Sequence, residues 1–307
     1  MNQLNGLILI DKNNGSTSHD IVGQLRKILN MRAIGHAGTL DPMATGLLIC
    51  LVGEATKLSQ YVMAEDKSYR VGIKFGVVTD TGDITGRVLR EADASLVSNL
   101  NLEQISAEAQ KLVGLIKLTV PKYSAIKIAG KKLYEYARED EEVVVPEREM
   151  VIRSITQLKY SDGRAEFEMD CGKGTYVRSW VEKLGVVLGV GATVESLRRL
   201  SSGPFHLDEA VTVDGLKNLV KEGDLAQGLS EKFVPMKDVL KGWPSVKLHG
   251  RDPLLVSNGQ IPHGILAQLR VSDFGGGVRL LNETGGLLAL MVKDQEKGVR
   301  LARVFKP

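Results

Sequence analysis

RAEFEMDC, residues 164–171, alternates without a break: Ala165, Phe167, Met169 and Cys171 fall on one side, Arg164, Glu166, Glu168 and Asp170 on the other. Successive side chains of a strand point to opposite faces, so this run predicts a half-buried strand with water on its second face. Strands of that kind belong to antiparallel or mixed sheets, because all-parallel sheets are covered on both sides. Directly downstream, Val177, Trp180, Val181, Leu184, Val187 and Leu188 recur at helical spacing and predict one apolar stripe. Upstream, Tyr69 to Val77 reads as a further strand and Leu102 to Val113 as an amphipathic helix. Two continuous apolar runs, GLILIDK (Gly6 to Lys12) and GLLICLV (Gly46 to Val52), predict fully buried strands. Between them, Asn13-Asn14-Gly15 signals a turn, and Ile21, Val22, Leu25, Ile28 and Leu29 predict a helix with Ser18 placed to cap it. Few intervals repeat as βαβ units. The expected class is therefore α+β, on a mixed, mainly antiparallel sheet.

The chain changes character at Lys241-Gly242-Trp243-Pro244. Beyond it, short strand-like runs are separated by Gly275-Gly276-Gly277 and Gly285-Gly286. Residues 1–243 are expected to form one large domain and 244–307 a small β-rich one, a division that suits a length of 307 residues. A net charge of +3, from 40 basic and 37 acidic residues, permits a nucleic-acid partner without demanding one. Cys50 and Cys171 lie in apolar runs and read as buried small hydrophobes. The five histidines show no ligand spacing, so no metal site is expected. No apolar stretch approaches spanning length and Gly6 to Ile10 is too short for a signal peptide, so the expected location is cytoplasmic.

The chemistry concentrates in GHAGTLDPMATG, Gly35 to Gly46, a glycine-rich loop with an imidazole, two hydroxyls and one carboxylate. It runs into a buried strand that would hold its end. A carboxylate so held can act as nucleophile or base. By spacing alone, Asp41-Pro42 fits a turn or helix start at least as well.

That loop closely resembles the signature of the bacterial tRNA pseudouridine synthase B family. IDKNNGSTSHDIV (Ile10 to Val22), GEATKLSQYVMAEDKSYRV (Gly53 to Val71) and GVVTDTGDITG (Gly76 to Gly86) resemble further blocks of it. So do VPKYSAIKIAGKKLYEYARE (Val120 to Glu139), CGKGTYVRSWVEKLG (Cys171 to Gly185) and LRRLSSGPF (Leu197 to Phe205). These matches, in order, are far more specific than one motif. Asn13, Ala37 and Val120 depart from the family's usual residues, and none carries a chemical role.

The resemblance implies a pseudouridine synthase fold and an isomerisation of uridine in the T-loop of tRNA, at position 55. The N1–C1′ bond breaks, the base turns, and C5 joins C1′. The atoms balance, so no cofactor, metal or second substrate is implied. Asp41 stands at the essential aspartate and Arg178 at its arginine partner. Tyr69 and Tyr176 stand at base-contacting tyrosines, with Tyr69 stacking on the flipped uracil and handling the C5 proton. His36 matches a residue that wedges into the T-loop, and Leu197 an apolar pocket residue. Lys57 and Asp83 are assigned supporting electrostatic roles at the substrate. Lys117 to Arg138 holds six basic residues and one acid with three tyrosines interleaved, a composition suited to RNA or to an ordinary solvated helix face. Asn258-Gly259-Gln260-Ile261-Pro262 resembles the small RNA-binding module called PUA. The implied partner is a tRNA T stem-loop, met by a monomer with no obligatory protein partner and no membrane. The alternatives are a guide-RNA-dependent synthase of the dyskerin type, a non-catalytic tRNA-binding or folding protein, and a hydrolytic glycosidase, which would ordinarily want a second carboxylate.

Overall fold

The computed structural model describes residues 4–139, 141–221, 232–271, 274–294 and 298–306. The chain opens with β1 (Gly6–Lys12), α1 (Ser18–Ile28), β2 (Ile34–His36) and β3 (Thr45–Val52). A 3-10 turn, Gly53–Leu58, leads to α2 (Ser59–Met63), β4 (Lys67–Phe75) and the hairpin of β5 (Val77–Thr79) and β6 (Val88–Glu91). Two helices, α3 (Ala94–Ser98) and α4 (Leu102–Lys111), precede β7 (Gly114–Thr119). The small β8 (Lys127–Ile128) and β9 (Lys131–Lys132) pair ahead of α5 (Leu133–Arg138). There follow β10 (Glu147–Ser161), β11 (Arg164–Cys171), α6 (Val177–Val187) and β12 (Ala192–Ser202). Short β13 (Phe205–His206), β14 (Val211–Thr212), α7 (Val213–Lys221) and β15 (Phe233–Pro235) end the first unit. The C-terminal part holds β16 (Ser245–Lys247), α8 (Asp252–Ser257), α9 (His263–Val271), β17 (Val278–Leu281), β18 (Leu287–Asp294) and β19 (Gly298–Val304).

The main sheet runs β14-β1-β3-β12-β4-β11-β10-β7. Its pairs are antiparallel except β1 with β14 and β12 with β3, so the expected mixed, mainly antiparallel sheet is what forms. β11 lies between β4 and β10, with Ala165, Phe167, Met169 and Cys171 buried as their alternation requires. The parallel contact of β3 with β12 depends on Gly46, where φ is +92° and a Cβ would lie 2.3 Å from the Arg199 carbonyl oxygen. Gly76, with φ +83°, ends β4 two residues before Val78, so the predicted strand to Val77 is cut short.

β3 explains why its sequence shows no alternation. Leu48, Cys50 and Val52 enter one core together with α1 and α6, while Leu47, Ile49 and Leu51 enter another. That second core includes Met236, Val239, Leu240, Leu290 and Phe305, so the C-terminal part closes over the back of the main sheet. Each fully buried aliphatic side chain contributes about 1.5–3 kcal/mol, and β3 spends its residues on both faces. Trp243 pins the junction: its ring meets Tyr61 edge-on at 5.2 Å and lies over Gly276 and Gly277. The C-terminal sheet, β16-β17-β18-β19, has its own core around Leu248, Val256, Leu280 and Met291. It also carries two helices among the described residues, which a reading of glycine-spaced strands does not anticipate. Asn258 and Gly259 form the turn between them.

Two local expectations are corrected. Thr17, not Ser18, caps α1: its hydroxyl accepts the Asp20 N–H at 3.1 Å, and the Asp20 carboxylate accepts the Thr17 N–H at 2.9 Å. Ser18 is instead buried, its hydroxyl engaged elsewhere. The apolar stripe of α6 runs through Leu184 to Leu188, which caps the helix and packs against the core before Gly189 at φ +76°, but it leaves out Val187, which is 43% exposed. No helix among the described residues is long and apolar enough to cross a membrane.

Candidate active site

Asp41 lies on the loop between β2 and β3, and the segment joining β1 to α1 grips that loop on both sides of it. The Ser18 hydroxyl accepts the Leu40 N–H at 2.9 Å and donates to the Leu40 carbonyl at 3.2 Å. Pro42, on the other side, has its carbonyl bonded by the Gly15 N–H at 3.0 Å and by Lys12 Nζ at 3.2 Å. Lys12 also donates to the Asn13 and Ser16 carbonyls, at 3.0 and 2.7 Å. Buried at the end of β1, its ammonium has its pKa lowered by burial, which the nearby Asp41 carboxylate opposes.

Arg178, in the first turn of α6, is 6% exposed and makes a two-point clamp on Asp41. Its Nε stands 2.9 Å from Oδ2 and its Nη2 3.3 Å from Oδ1. The rest of the guanidinium donates to the Thr81 carbonyl at 2.8 Å and the Tyr123 carbonyl at 3.0 Å. Arg178 thus joins the Asp41 loop, the β5–β6 hairpin and the segment after β7. The Asp41 side chain keeps 32% exposure. Loss of hydration there pushes its pKa up from the ordinary value, first among the causes, with Arg178 pulling down and Asp83 adding to the rise. The clamp orients the carboxylate, but it does not outweigh burial, so the arginine alone does not set the ionisation.

Tyr69 and Leu197 lie on neighbouring strands, β4 and β12, and both are buried in the core that contains Leu40 and Met43. Burial raises the Tyr69 phenol pKa, and the Arg199 guanidinium beside it works the other way. Tyr176 precedes α6 as its N-terminal cap residue, half-buried, with its pKa raised by burial. The Asp41 charge acts on both phenols, and Tyr176 stands two residues before Arg178, whose charge acts on it too. His36 ends β2, opposite Cys50. Burial, then Arg199 and His19, lower its pKa and favour the neutral ring, whose Nδ1 is buried without a partner.

Asp83 is buried and organises its own loop. Its Oδ1 accepts from the Thr81 hydroxyl at 3.1 Å, the Thr85 N–H at 3.0 Å and the Thr85 hydroxyl at 2.5 Å. It reaches Asp41 through charge, and it shapes the loop whose Thr81 carbonyl holds Arg178. Lys57 is not brought to this cluster. It pairs with Glu54 at 2.5 Å and lines a cleft of roughly 340 Å³ with Thr56, Ser59, Gln60, Arg303 and Val304. The basic run is partly engaged internally: Lys131 pairs with Glu139 and Glu141, and Lys132 and Arg138 each lie 5.2 Å from the Tyr134 ring centre.

Residues 26–177 match the family described as "TruB family pseudouridylate synthase (N terminal domain)", and residues 178–241 match "tRNA pseudouridylate synthase B C-terminal domain". A tRNA pseudouridine synthase B of Bdellovibrio bacteriovorus is 45% identical over 310 aligned positions, covering 99% of this chain and 98% of that protein. One from Clostridium perfringens is 36% identical over 304, covering 98% of this chain and 99% of the relative. The chain belongs to the TruB family. The fold of a Cbf5-Nop10-Gar1 complex is similar too, with a TM-score of 0.73 at 23% identity, covering 98% of this chain and 85% of that one.

The two TruB segments are not two separate bodies. The second begins at Arg178, so the Asp41–Arg178 pair joins one segment to the other. β12, from the second, is inserted between β3 and β4 of the first. This arrangement brings in two cations that the sequence reading passed over, Lys12 and Arg199. Arg199 is 1% exposed; its Nε donates to the Leu47 carbonyl at 2.6 Å and its Nη2 to the Gly38 carbonyl at 3.2 Å. A signal existed for each. Lys12 continues an apolar run into a turn, and Arg199 has the same strand parity as Leu197.

Proposed function

We propose that this chain isomerises the uridine at position 55 in the T-loop of tRNA to pseudouridine, with Asp41 as the group that acts on the nucleoside. The observation that carries the reading is the two-point clamp of Arg178 on a largely buried Asp41, whose charge acts on both Tyr69 and Tyr176. The target uridine leaves its stack and approaches the partly exposed Asp41 carboxylate. Asp41 serves as nucleophile or base while N1–C1′ breaks and C5–C1′ forms, and the C5 proton departs. Tyr69 offers its ring to the uracil and its phenol to that proton. Tyr176 and Leu197 complete the wall around the base. His36, neutral, enters the space the flipped nucleotide leaves. Lys57 and the cations of Lys117 to Arg138 contact phosphates farther out, and residues 244–307 add a PUA-like RNA-binding surface. The enzyme works as a cytoplasmic monomer without a protein or guide partner.

Release of tritium from C5-labelled uridine in an unmodified tRNA transcript tests this. Purified chain alone is expected to release the label, and replacing the T-loop uridine at position 55 is expected to stop it. Release that required an added guide RNA would favour a dyskerin-type enzyme. Free uracil as the product would mean a glycosidase. Binding with no release would leave a tRNA-binding protein.

A further inference from the structure

Arg199 is a buried cation held in an unusual way. Its hydrogen-bond partners among the described residues are backbone carbonyls rather than a carboxylate, and Tyr69 faces it across the β12–β4 pairing. Burying a charge is costly unless it is fully hydrogen-bonded, so a guanidinium without a counter-charge needs a geometric reason to be kept. The carbonyls it bonds, Gly38 and Leu47, bracket the loop that carries Asp41. Its own strand position pairs directly with Tyr69 across β12 and β4. β12 meets β3 here through the Arg199–Gly46 pairing, where no side chain fits at position 46. Arg199 therefore touches the loop at two points and the Tyr69 strand at a third.

We propose that Arg199 is a positioning residue that locks the Asp41 loop to Tyr69, so that the carboxylate and the phenol keep one separation and one orientation. The planar guanidinium suits this task because its donors diverge in a fixed fork. Leu47 and Gly38 take two directions of the fork, and the phenol of Tyr69 lies beside it. A lysine carries its three donors on a single atom at the end of a flexible stem, so it cannot reproduce the planar, divergent reach to Leu47 and Gly38. The proposal rests on the reading of Asp41 and Tyr69 as the reacting pair, and two of its three tests do not depend on activity.

The first test is the single-turnover rate of Arg199→Lys at saturating tRNA. A fall of about tenfold is expected, the loss of one charge-assisted hydrogen bond, with tRNA affinity within about threefold of wild type. The second places 3,5-difluorotyrosine at position 69 and follows its ¹⁹F signal against pH. Arg199→Gln, which removes the positive charge, is expected to move that titration upward. The third keeps Arg199 and makes Tyr69→Phe, which deletes only the hydroxyl. Amide hydrogen exchange across residues 38–47 is expected to quicken, because the guanidinium loses the hydroxyl that faces it from the neighbouring strand. This variant preserves the ring and its packing, so the result is readable even if the Arg199 variants fold poorly. An unmoved ¹⁹F titration, unchanged exchange in Tyr69→Phe, or a rate that falls only in step with affinity would each overturn the proposal. A wild-type chain that releases no tritium, with both spectroscopic results as expected, would instead remove the assigned reaction and leave the lock standing.

Discussion

The loop that enters β3 and the back face of β3 are held by different physics. In front, the loop entering β3 is fixed by directional contacts: Ser18 on Leu40, Lys12 and Gly15 on Pro42, Arg178 on Asp41. Behind, Leu47, Ile49 and Leu51 meet Leu290 and Phe305 of the C-terminal part through apolar area. Area is lost in proportion to the atoms removed. A directional contact is lost whole, and it leaves a buried polar group without a partner. The front should therefore respond to isosteric changes that the back would tolerate, and the back to changes of volume that leave the chemistry intact.

Asp41→Asn should show the sharpest form of this contrast. The change preserves shape and removes the carboxylate proposed to react, so turnover is expected to fall about a thousandfold or more. tRNA affinity should stay near that of wild type. Single-turnover kinetics with a filter-binding measurement separate the two; an affinity that collapsed along with the rate would place Asp41 in binding rather than chemistry.

Phe305→Ala should do the reverse. Phe305 is buried against the back of β3, and emptying such a site costs about 3 kcal/mol. Urea unfolding should show that loss, while the folded fraction keeps a near-normal bound-state rate. A point substitution is the cleaner probe here, because cutting the chain after Trp243 would uncover the whole apolar face. If Phe305→Ala left stability unchanged, the C-terminal part would not be contributing to this core.

Arg178→Lys returns to the front with a conservative change of charge. The ammonium keeps the sign but not the fork, and it leaves two or three of Asp41, Thr81 and Tyr123 without a donor. About a hundredfold loss in rate is expected, equivalent to about 2.7 kcal/mol. A near-normal rate would show that charge alone, without geometry, suffices at this position.

The same contrast explains what could be read in the sequence. Alternation in residues 164–171 and the unbroken run of β3 report burial, and burial repeats with the period of the backbone, so sheet type and core strands were legible. Asp41, Arg178, Tyr69, Tyr176 and Leu197 were legible only through resemblance, since no periodic signal marks a residue for what it faces across the fold. Arg178 is separated from Asp41 by 137 positions, and only folding joins them. Ser18 misled because a serine before an apolar periodicity fits a cap, whereas Thr17 had the matching Asp20 and left Ser18 for Leu40. Lys12 and Arg199 were missed because charged residues are normally assigned to the surface. Lys57 sits where its own helical turn puts it, paired with Glu54, away from the carboxylate it was grouped with.

A smaller effect of Asp41 bears on stability itself. Burial raises its pKa in the folded chain, and the pull of Arg178 does not cancel that rise. Such a carboxyl binds its proton more readily folded than unfolded. Its contribution favours the fold fully below the ordinary value of 3.8 and is lost as pH climbs from there through the raised value. Above that window, ionised Asp41 is a standing cost. Asn is uncharged at every pH, and Arg178 keeps the Thr81 and Tyr123 carbonyls when the carboxylate is gone. Asp41→Asn should therefore be more stable than wild type at neutral pH, with the gain shrinking as pH falls toward the carboxylate range. Urea midpoints at several pH values measure it. A variant less stable at neutral pH would mean that the ion pair, not desolvation, dominates at Asp41. The expected result makes one substitution both stop the proposed reaction and firm the fold, because the loop before β3 holds a charge that the back of the strand, made only of area, never has to bury.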